Sequence, residues 1–78
     1  MTLYPNPAKD LVQLDLTDLA TKNAWIHVFN VQGKLVFQQN VDNPTVTNIV
    51  TNNFENGLYF LKVEMEEGVV TKKLIIQR

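Results

Sequence analysis

The sequence predicts an all-β fold, a small antiparallel β-sandwich. Apolar residues alternate at period two far more often than they recur at three and four, which is the pattern of half-buried strands. Residues that favour turns separate these segments at short intervals. The 78 residues are 45% hydrophobic and 19% charged, as in an ordinary globular chain. We therefore expect residues 1–78 to form a single domain with roughly 4,800 Å² of accessible surface.

Six segments have the strand pattern, and a seventh forms if the N-terminus pairs. In the first, Val12, Leu14 and Leu16 alternate with polar residues, whereas the segment around Ile26 is apolar on both faces. The predicted strands are residues 12–16, 24–29, 34–40, 46–50, 57–66 and 69–77, with 1–4 as the seventh. A helix over residues 9–20 is the competing interpretation, because Val12, Leu16 and Leu19 would share one helical face.

Turn chemistry separates the predicted strands. Proline fixes φ, and glycine and asparagine tolerate conformations that are closed to most residues. These breaks are Pro5-Asn6-Pro7, Gln32-Gly33, Asn43-Pro44, Asn52-Asn53, Asn56-Gly57 and Glu67-Gly68.

The pairing of the last hairpin depends on the length of its loop. A two-residue Glu67-Gly68 loop sets Leu61 opposite Leu74 and Tyr59 opposite Ile76, whereas a three-residue loop sets Leu61 against a lysine. The first register is predicted because it keeps apolar residues on one face. It also places Lys62 opposite Lys73, a like-charge pair that costs some tenths of a kcal/mol.

Catalysis, cofactor binding and nucleic-acid binding have no support in the sequence. The chain has no cysteine and one histidine, His27, with no partner that could orient it as a base. No glycine-rich phosphate loop and no metal-ligand spacing is present, so we expect no enzyme activity and no cofactor. The net charge of −1 provides no field to attract nucleic acid, and no apolar run approaches the length of a membrane span.

Four segments carry a more specific signal. They are LYPNPA at residues 3–8, VFNVQGKLV at 28–36, NGLYFLKV at 56–63 and KKLIIQR at 72–78. In their order and spacing, the chain resembles the type A C-terminal sorting domain of the Bacteroidetes type IX secretion system, also called the Por secretion system C-terminal domain. The resemblance covers essentially the whole chain.

This resemblance implies an immunoglobulin-like, Greek-key sandwich at the C-terminus of a larger secreted protein. It implies a sorting signal that directs an N-terminal cargo domain through the periplasm and across the outer membrane, to the cell surface or the medium. The implied partners are the outer-membrane translocon, its shuttle components and a sortase-like cysteine peptidase that removes the domain.

The family motifs fall on eleven residues of this sequence. Turn or core roles explain Pro5, Pro7, Gly33, Gly57 and Tyr59, whereas Lys72, Lys73 and Arg78 are expected to form an outward basic cluster for recognition. The last strand is expected to be an accessible edge that a partner reads by main-chain pairing. Deletion of the last five residues is expected to block secretion and leave the domain folded. The complete set is Tyr4, Pro5, Asn6, Pro7, Gly33, Lys34, Gly57, Tyr59, Lys72, Lys73 and Arg78.

Two other functions remain open. A carbohydrate-binding or adhesion module would share the sandwich fold, and it requires Trp25, Phe29 and Phe60 to face solvent rather than the core. A structural spacer requires no function of the terminal residues. Self-association through an uncovered edge strand is compatible with each of these functions.

Overall fold

The computed structural model describes all 78 residues and contains seven strands and no helix. The all-β prediction is confirmed, since the segment considered as a helix contains a strand instead. No helix is long and apolar enough to cross a membrane. The strands are β1 (Thr2–Tyr4), β2 (Leu11–Asp15), β3 (Asn23–Asn30), β4 (Leu35–Asp42), β5 (Val46–Val50), β6 (Gly57–Met65) and β7 (Gly68–Ile76).

The strands form two antiparallel sheets. One sheet has the order β1-β2-β5, and the other has the order β4-β3-β6-β7. The pairs β2–β5 and β3–β6 join strands that are not consecutive in the chain, so the chain crosses between the sheets three times. Non-consecutive antiparallel pairs in two facing sheets are the Greek-key arrangement of immunoglobulin-like sandwiches.

The core lies between the two sheets and follows from the alternation of the sequence. Successive side chains of a strand point to opposite faces, so every second residue enters the core. The buried hydrophobic residues are Ala8, Val12, Leu14, Leu16, Ala24, Ile26, Val28, Ile49, Tyr59, Leu61, Val63, Leu74 and Ile76. The accessible surface is 4833 Å².

The predicted register of the β6–β7 hairpin is wrong by two residues. Leu61 lies opposite Lys72 and Tyr59 lies opposite Leu74, because the turn residues are Glu66 and Glu67. A shift of two residues leaves every side chain on its predicted face, so Leu61 and Leu74 are still buried. The like-charge pair does not form, since Lys62 lies opposite a threonine.

Glycine chemistry explains where this hairpin turns. Gly68 has a φ of 149° and is the first residue of β7, directly after the two turn residues. Side chains rarely adopt this backbone conformation, whereas glycine adopts it without steric cost. The glycine therefore belongs to the start of the strand, not to the two-residue loop.

Substitutions on β2 test the division between core and surface. Leu14 is fully buried, and Leu11 on the opposite face of the same strand is 42% exposed. We expect Leu14→Ala to lower the free energy of unfolding by about 2–4 kcal/mol, because it leaves a cavity in a small core. Leu11→Ala is expected to cost less than about 1 kcal/mol. Urea denaturation measures both values, and equal losses would contradict the assigned faces.

Candidate recognition site at one end of the sandwich

The four motif segments come together at one end of the sandwich. Asn30 at the end of β3 pairs with Tyr59 near the start of β6, and Tyr59 pairs with Leu74 near the end of β7. Arg78 continues from β7 and contacts both the segment before β2 and the connection between β5 and β6. We name this region the motif end, and it consists of residues 4–10, 30–34, 51–59 and 73–78.

The side chain of Asn6 binds the outer edge of β7. Its Nδ2 donates to the carbonyl of Lys73 at 2.9 Å, and its Oδ1 accepts from the N–H of Ile75 at 3.0 Å. The side-chain amide thus satisfies one donor and one acceptor of an edge strand. Prolines stand on both sides of this asparagine, and the Tyr4–Pro5 and Asn6–Pro7 peptide bonds are both cis.

Ala8 extends the same contact with its backbone. Its N–H donates to the carbonyl of Ile75 at 2.8 Å, and its carbonyl accepts from the N–H of Gln77 at 2.9 Å. These bonds form a short parallel bridge between Ala8 and Ile76. β7 is an edge strand, as expected, but the expectation of an open edge is wrong for its C-terminal half because the N-terminal segment already occupies it.

Arg78 anchors the C-terminus to the body of the domain. Its Nε donates to Oδ1 of Asp10 at 3.1 Å, and its guanidinium donates to the carbonyls of Thr51 and Phe54. Its backbone N–H donates to Oδ1 of Asn56 at 3.1 Å. The planar fork of an arginine suits several acceptors at once. Arg78 therefore holds three segments together and does not project outward as a free cation.

The two lysines of the terminal motif do not form a cluster. Because Lys72 and Lys73 are successive residues of β7, they lie on opposite faces of the sheet. Lys72 lies opposite Leu61 and Lys73 lies opposite Phe60. Both side chains are exposed and neither has a salt-bridge partner. The expected outward basic cluster therefore does not form: the two lysines lie on different faces of the sheet, and Arg78 is bonded to the body of the domain.

The central motif forms the turn between β3 and β4. The N–H groups of Gln32 and Lys34 both donate to Oδ1 of Asn30 at 3.0 Å, and the Asn30 N–H donates to the Lys34 carbonyl at 2.9 Å. Gly33 supplies the φ of 84° that closes the turn. The Lys34 side chain remains exposed and free of ion pairs.

The third motif supports the connection between β5 and β6. The Tyr59 hydroxyl donates to the carbonyl of Glu55 at 2.7 Å, and its ring packs against Phe54 with centroids 5.2 Å apart. A tyrosine early in the sixth strand that bonds to backbone a few residues upstream is the tyrosine corner of immunoglobulin-like domains. Gly57, at a φ of 150°, begins the strand that carries this tyrosine.

Several residues of the motif end were not among the eleven candidate residues. Asn30 begins its turn two residues before Gln32, a spacing typical of an asparagine that bonds its own backbone, and it could have been recognised from that pattern. Asp10, Thr51 and Asn56 could not, since each meets Arg78 only in the folded chain.

The polar contacts of the opposite end are more local. There the hydroxyl and N–H of Thr17 donate to Oδ1 of Asp15 at 2.6 and 2.9 Å, which lowers the pKa of the Asp15 carboxyl. By contrast, the contacts of Asn6 and Arg78 join residues that are up to 69 positions apart. No three His, Asp or Glu side chains come together in a way that could hold a metal ion.

Aromatic residues follow the outer face of β3. The rings of Trp25 and His27 have centroids 6.0 Å apart with planes 19° apart, and those of His27 and Phe29 are 6.1 Å and 26° apart. Trp25 is 41% exposed, whereas Phe29 and Phe60 are half-buried on the same face. A carbohydrate-binding module would require all three of these aromatic residues to face solvent, and only Trp25 is clearly exposed.

Removal of the Asn6 amide should loosen the edge of β7. Asn6→Ala deletes two hydrogen bonds, so we expect the free energy of unfolding to fall by about 1–2 kcal/mol. The amide of Ile75 should also exchange faster with solvent, because its acceptor is gone. Asn48→Ala is the matched control, since Asn48 is exposed and makes no side-chain hydrogen bond. Unchanged exchange at Ile75 would contradict the contact.

The tyrosine corner can be tested by removal of one oxygen. Tyr59→Phe keeps the ring but loses the bond to Glu55, and we expect a cost of about 1 kcal/mol. Tyr4→Phe serves as the control, because Tyr4 is 41% exposed and its hydroxyl has no partner. Thermal and urea unfolding compare the two, and equal stabilities would show that the corner bond contributes nothing.

The sequence matches a known family and a known protein. Residues 2–77 match the family described as the secretion system C-terminal sorting domain. An ulvan lyase from Nonlabens ulvanivorans is 28% identical to the chain over 75 residues, which are 95% of this chain and 14% of the lyase. The chain therefore spans a small part of the length of that relative.

The family match extends over the four segments that carry the resemblance, except for the last residue, Arg78, and it confirms that resemblance. Members of the family are the C-terminal sorting signals of type IX secretion, and the role of such a domain is to direct a protein rather than to catalyse a reaction. The chain belongs to the family of type IX secretion C-terminal sorting domains.

Proposed function

We propose that residues 1–78 are a folded sorting domain within a larger secreted protein and that they carry an N-terminal cargo domain out of the periplasm. The type IX outer-membrane translocon and its shuttle components recognise the domain. A sortase-like cysteine peptidase then removes it at the cell surface. The domain itself has no catalytic activity and binds no cofactor.

One observation carries this proposal: the terminal motif is part of the sandwich and not a free tail. Leu74 and Ile76 are buried in the core, and Arg78 is bonded to Asp10. A partner that recognises the C-terminus therefore meets a fixed surface whose shape depends on the whole fold. The expectation that the last five residues could be deleted from a folded domain is unsound, because the deletion removes these two core residues and the anchor.

The motif residues divide into two groups by their contacts. The first group maintains the motif end through turns, core packing and hydrogen bonds, and comprises Pro5, Asn6, Pro7, Gly33, Gly57, Tyr59 and Arg78. The second group has exposed side chains without ion-pair partners, and comprises Tyr4, Lys34, Lys72 and Lys73. We assign direct contact with the machinery to the second group, since an exposed group without a partner is free to bind one.

The relative supports a cargo in the same chain. The ulvan lyase is about seven times as long as the segment that matches, so a domain of this kind occurs within a much longer enzyme. We infer that the same arrangement applies here. The identity of 28% is confined to this segment, and it assigns no activity to the cargo.

Carbohydrate binding is the second candidate function. Trp25, His27, Gln38 and Glu64 line a shallow depression on the outer face of the four-stranded sheet, where a ring and hydrogen-bonding groups lie side by side. Phe29 and Phe60 pair with each other and are only half exposed. The exposed aromatic platform is therefore close to a single ring, which favours the sorting function.

A secretion assay tests the proposed function. Residues 3–78 are fused behind a signal peptide and a fluorescent reporter in a Bacteroidetes host, with and without a functional type IX translocon. We expect reporter outside the cells only where the translocon works. Mass spectrometry of the exported reporter should show that the domain has been removed.

A fold-disrupted fusion provides the control. Leu14→Ala weakens the core without altering any motif residue, so its export should fall together with its folded fraction. Retention of the folded wild-type fusion in the periplasm of both strains would reject the sorting function. In that case, binding of the purified domain to ulvan, measured by calorimetry, would examine the second candidate.

A further inference from the structure

The outer face of the four-stranded sheet is unusually apolar for a surface that faces solvent. Antiparallel sheets with one face on a core usually place polar residues on the other face. Here Trp25, Val69 and Ile75 are 41%, 50% and 42% exposed, and Phe29 and Phe60 lie beside them half-buried. Extended apolar surfaces of this kind on small domains mark sites of interaction.

The outer face of the three-stranded sheet is different. Its centre is polar, since Gln13 lies between Tyr4 on β1 and Asn48 on β5. Its exposed apolar side chains lie around this centre: Leu11 pairs with Val50 at one end, Val46 lies opposite Asp15 at the other, and Tyr4 is the one aromatic residue among them. Both outer faces therefore expose apolar side chains, and the row of aromatic rings distinguishes the four-stranded sheet.

The aromatic residues of the four-stranded sheet lie next to one another on its outer face. Phe29 lies opposite Phe60, and Phe60 lies opposite Lys73 on the next strand. The rings of Trp25, His27 and Phe29 follow one another at about 6 Å along β3. Aromatic residues contribute a large part of the binding energy at protein interfaces.

Two cations and two carboxylates lie on this face, at different places. Lys62 and Lys73 are the outer-face neighbours of Phe60 along β6 and across to β7, and neither lysine forms an ion pair. Glu64 lies opposite Trp25, and Asp42 lies at the far end of β4, where its carboxylate accepts from the Asn23 side chain. The part of the face around Phe60 and Lys73 is therefore complementary to a surface that presents carboxylates next to apolar groups.

The size of the face indicates a transient contact. Four strands spaced by about 4.8 Å, with about eight residues each at 3.3 Å, cover roughly 500 Å². A stable protein complex buries about 800 Å² on each partner. A second copy of this chain would therefore form only a weak dimer through this face, whereas a secreted substrate that must later be released needs a short-lived complex.

We infer that the outer face of the four-stranded sheet, centred on Trp25, Phe60, Lys73 and Ile75, docks onto a protein component of the secretion machinery. The docking surface of that component presents apolar side chains flanked by carboxylates. This inference rests on the proposed sorting function and specifies which surface is recognised. It places Lys73 in the contact through its side chain, while its carbonyl remains bonded to Asn6.

Paired variants of the reporter fusion test this inference. Trp25→Gln with Ile75→Thr removes exposed apolar surface, and Lys62→Glu with Lys73→Glu replaces two cations of the face by carboxylates. We expect each pair to reduce export at least tenfold while the purified domain keeps its melting temperature within a few degrees. The matched controls are Leu11→Thr with Val50→Thr on the other sheet, and Lys9→Glu with Lys22→Glu outside the face, and both should be exported normally.

The outcomes separate the inference from the proposed function. If the wild-type fusion is not exported, the sorting function fails and the inference fails with it. If the wild type is exported and the face variants are exported equally well, only the inference is overturned. It is also overturned if these variants keep export but lose self-association in ultracentrifugation or lose binding to ulvan, because the face then serves a second copy or a glycan.

Discussion

The hydrogen bonds between residues 6–8 and the C-terminal half of β7 are the contact on which the rest of the structure depends. They close the exposed edge of the four-stranded sheet with the side chain of Asn6 and the backbone of Ala8. An edge strand with free N–H and C=O groups invites pairing with other chains. Because the first segment covers the last strand, the two ends of the domain form one surface, and the terminal residues acquire fixed positions.

This closure explains why so many motif residues hold structure instead of projecting outward. The core is small: thirteen buried hydrophobic residues with seven partly buried ones packed against them, so a loosened turn or strand end has few other contacts to compensate for it. Tyr59 and Arg78 accordingly donate hydrogen bonds to backbone carbonyls of the β5–β6 connection. In a domain this small, the motif residues therefore maintain the structure of the surface as well as forming part of it.

The outer faces of the two sheets form most of the surface that this sorting domain presents, and they differ. The three-stranded sheet presents a polar centre around Gln13, whereas the four-stranded sheet presents Trp25 and Phe60 with lysines beside them. A surface that combines rigid aromatic groups with unpaired cations suits brief and specific recognition.

The sequence by itself determined the positions of the strands, the buried faces of β2 and of the β6–β7 hairpin, and the family, because alternation and turn chemistry are local properties. Alternation could not choose the buried face of β3, where both faces are apolar. The alternation of side chains along each strand placed Leu61 and Leu74 in the core. It could not distinguish two registers that differ by two residues, because both bury the same side chains. Only the tertiary structure decided that Asn6 covers β7, that Arg78 is an anchor and that Lys72 and Lys73 are divided between two faces. The contacts of Asn6 and Arg78 join residues up to 69 positions apart, and no local pattern encodes a distance that exists only after the two sheets have packed together.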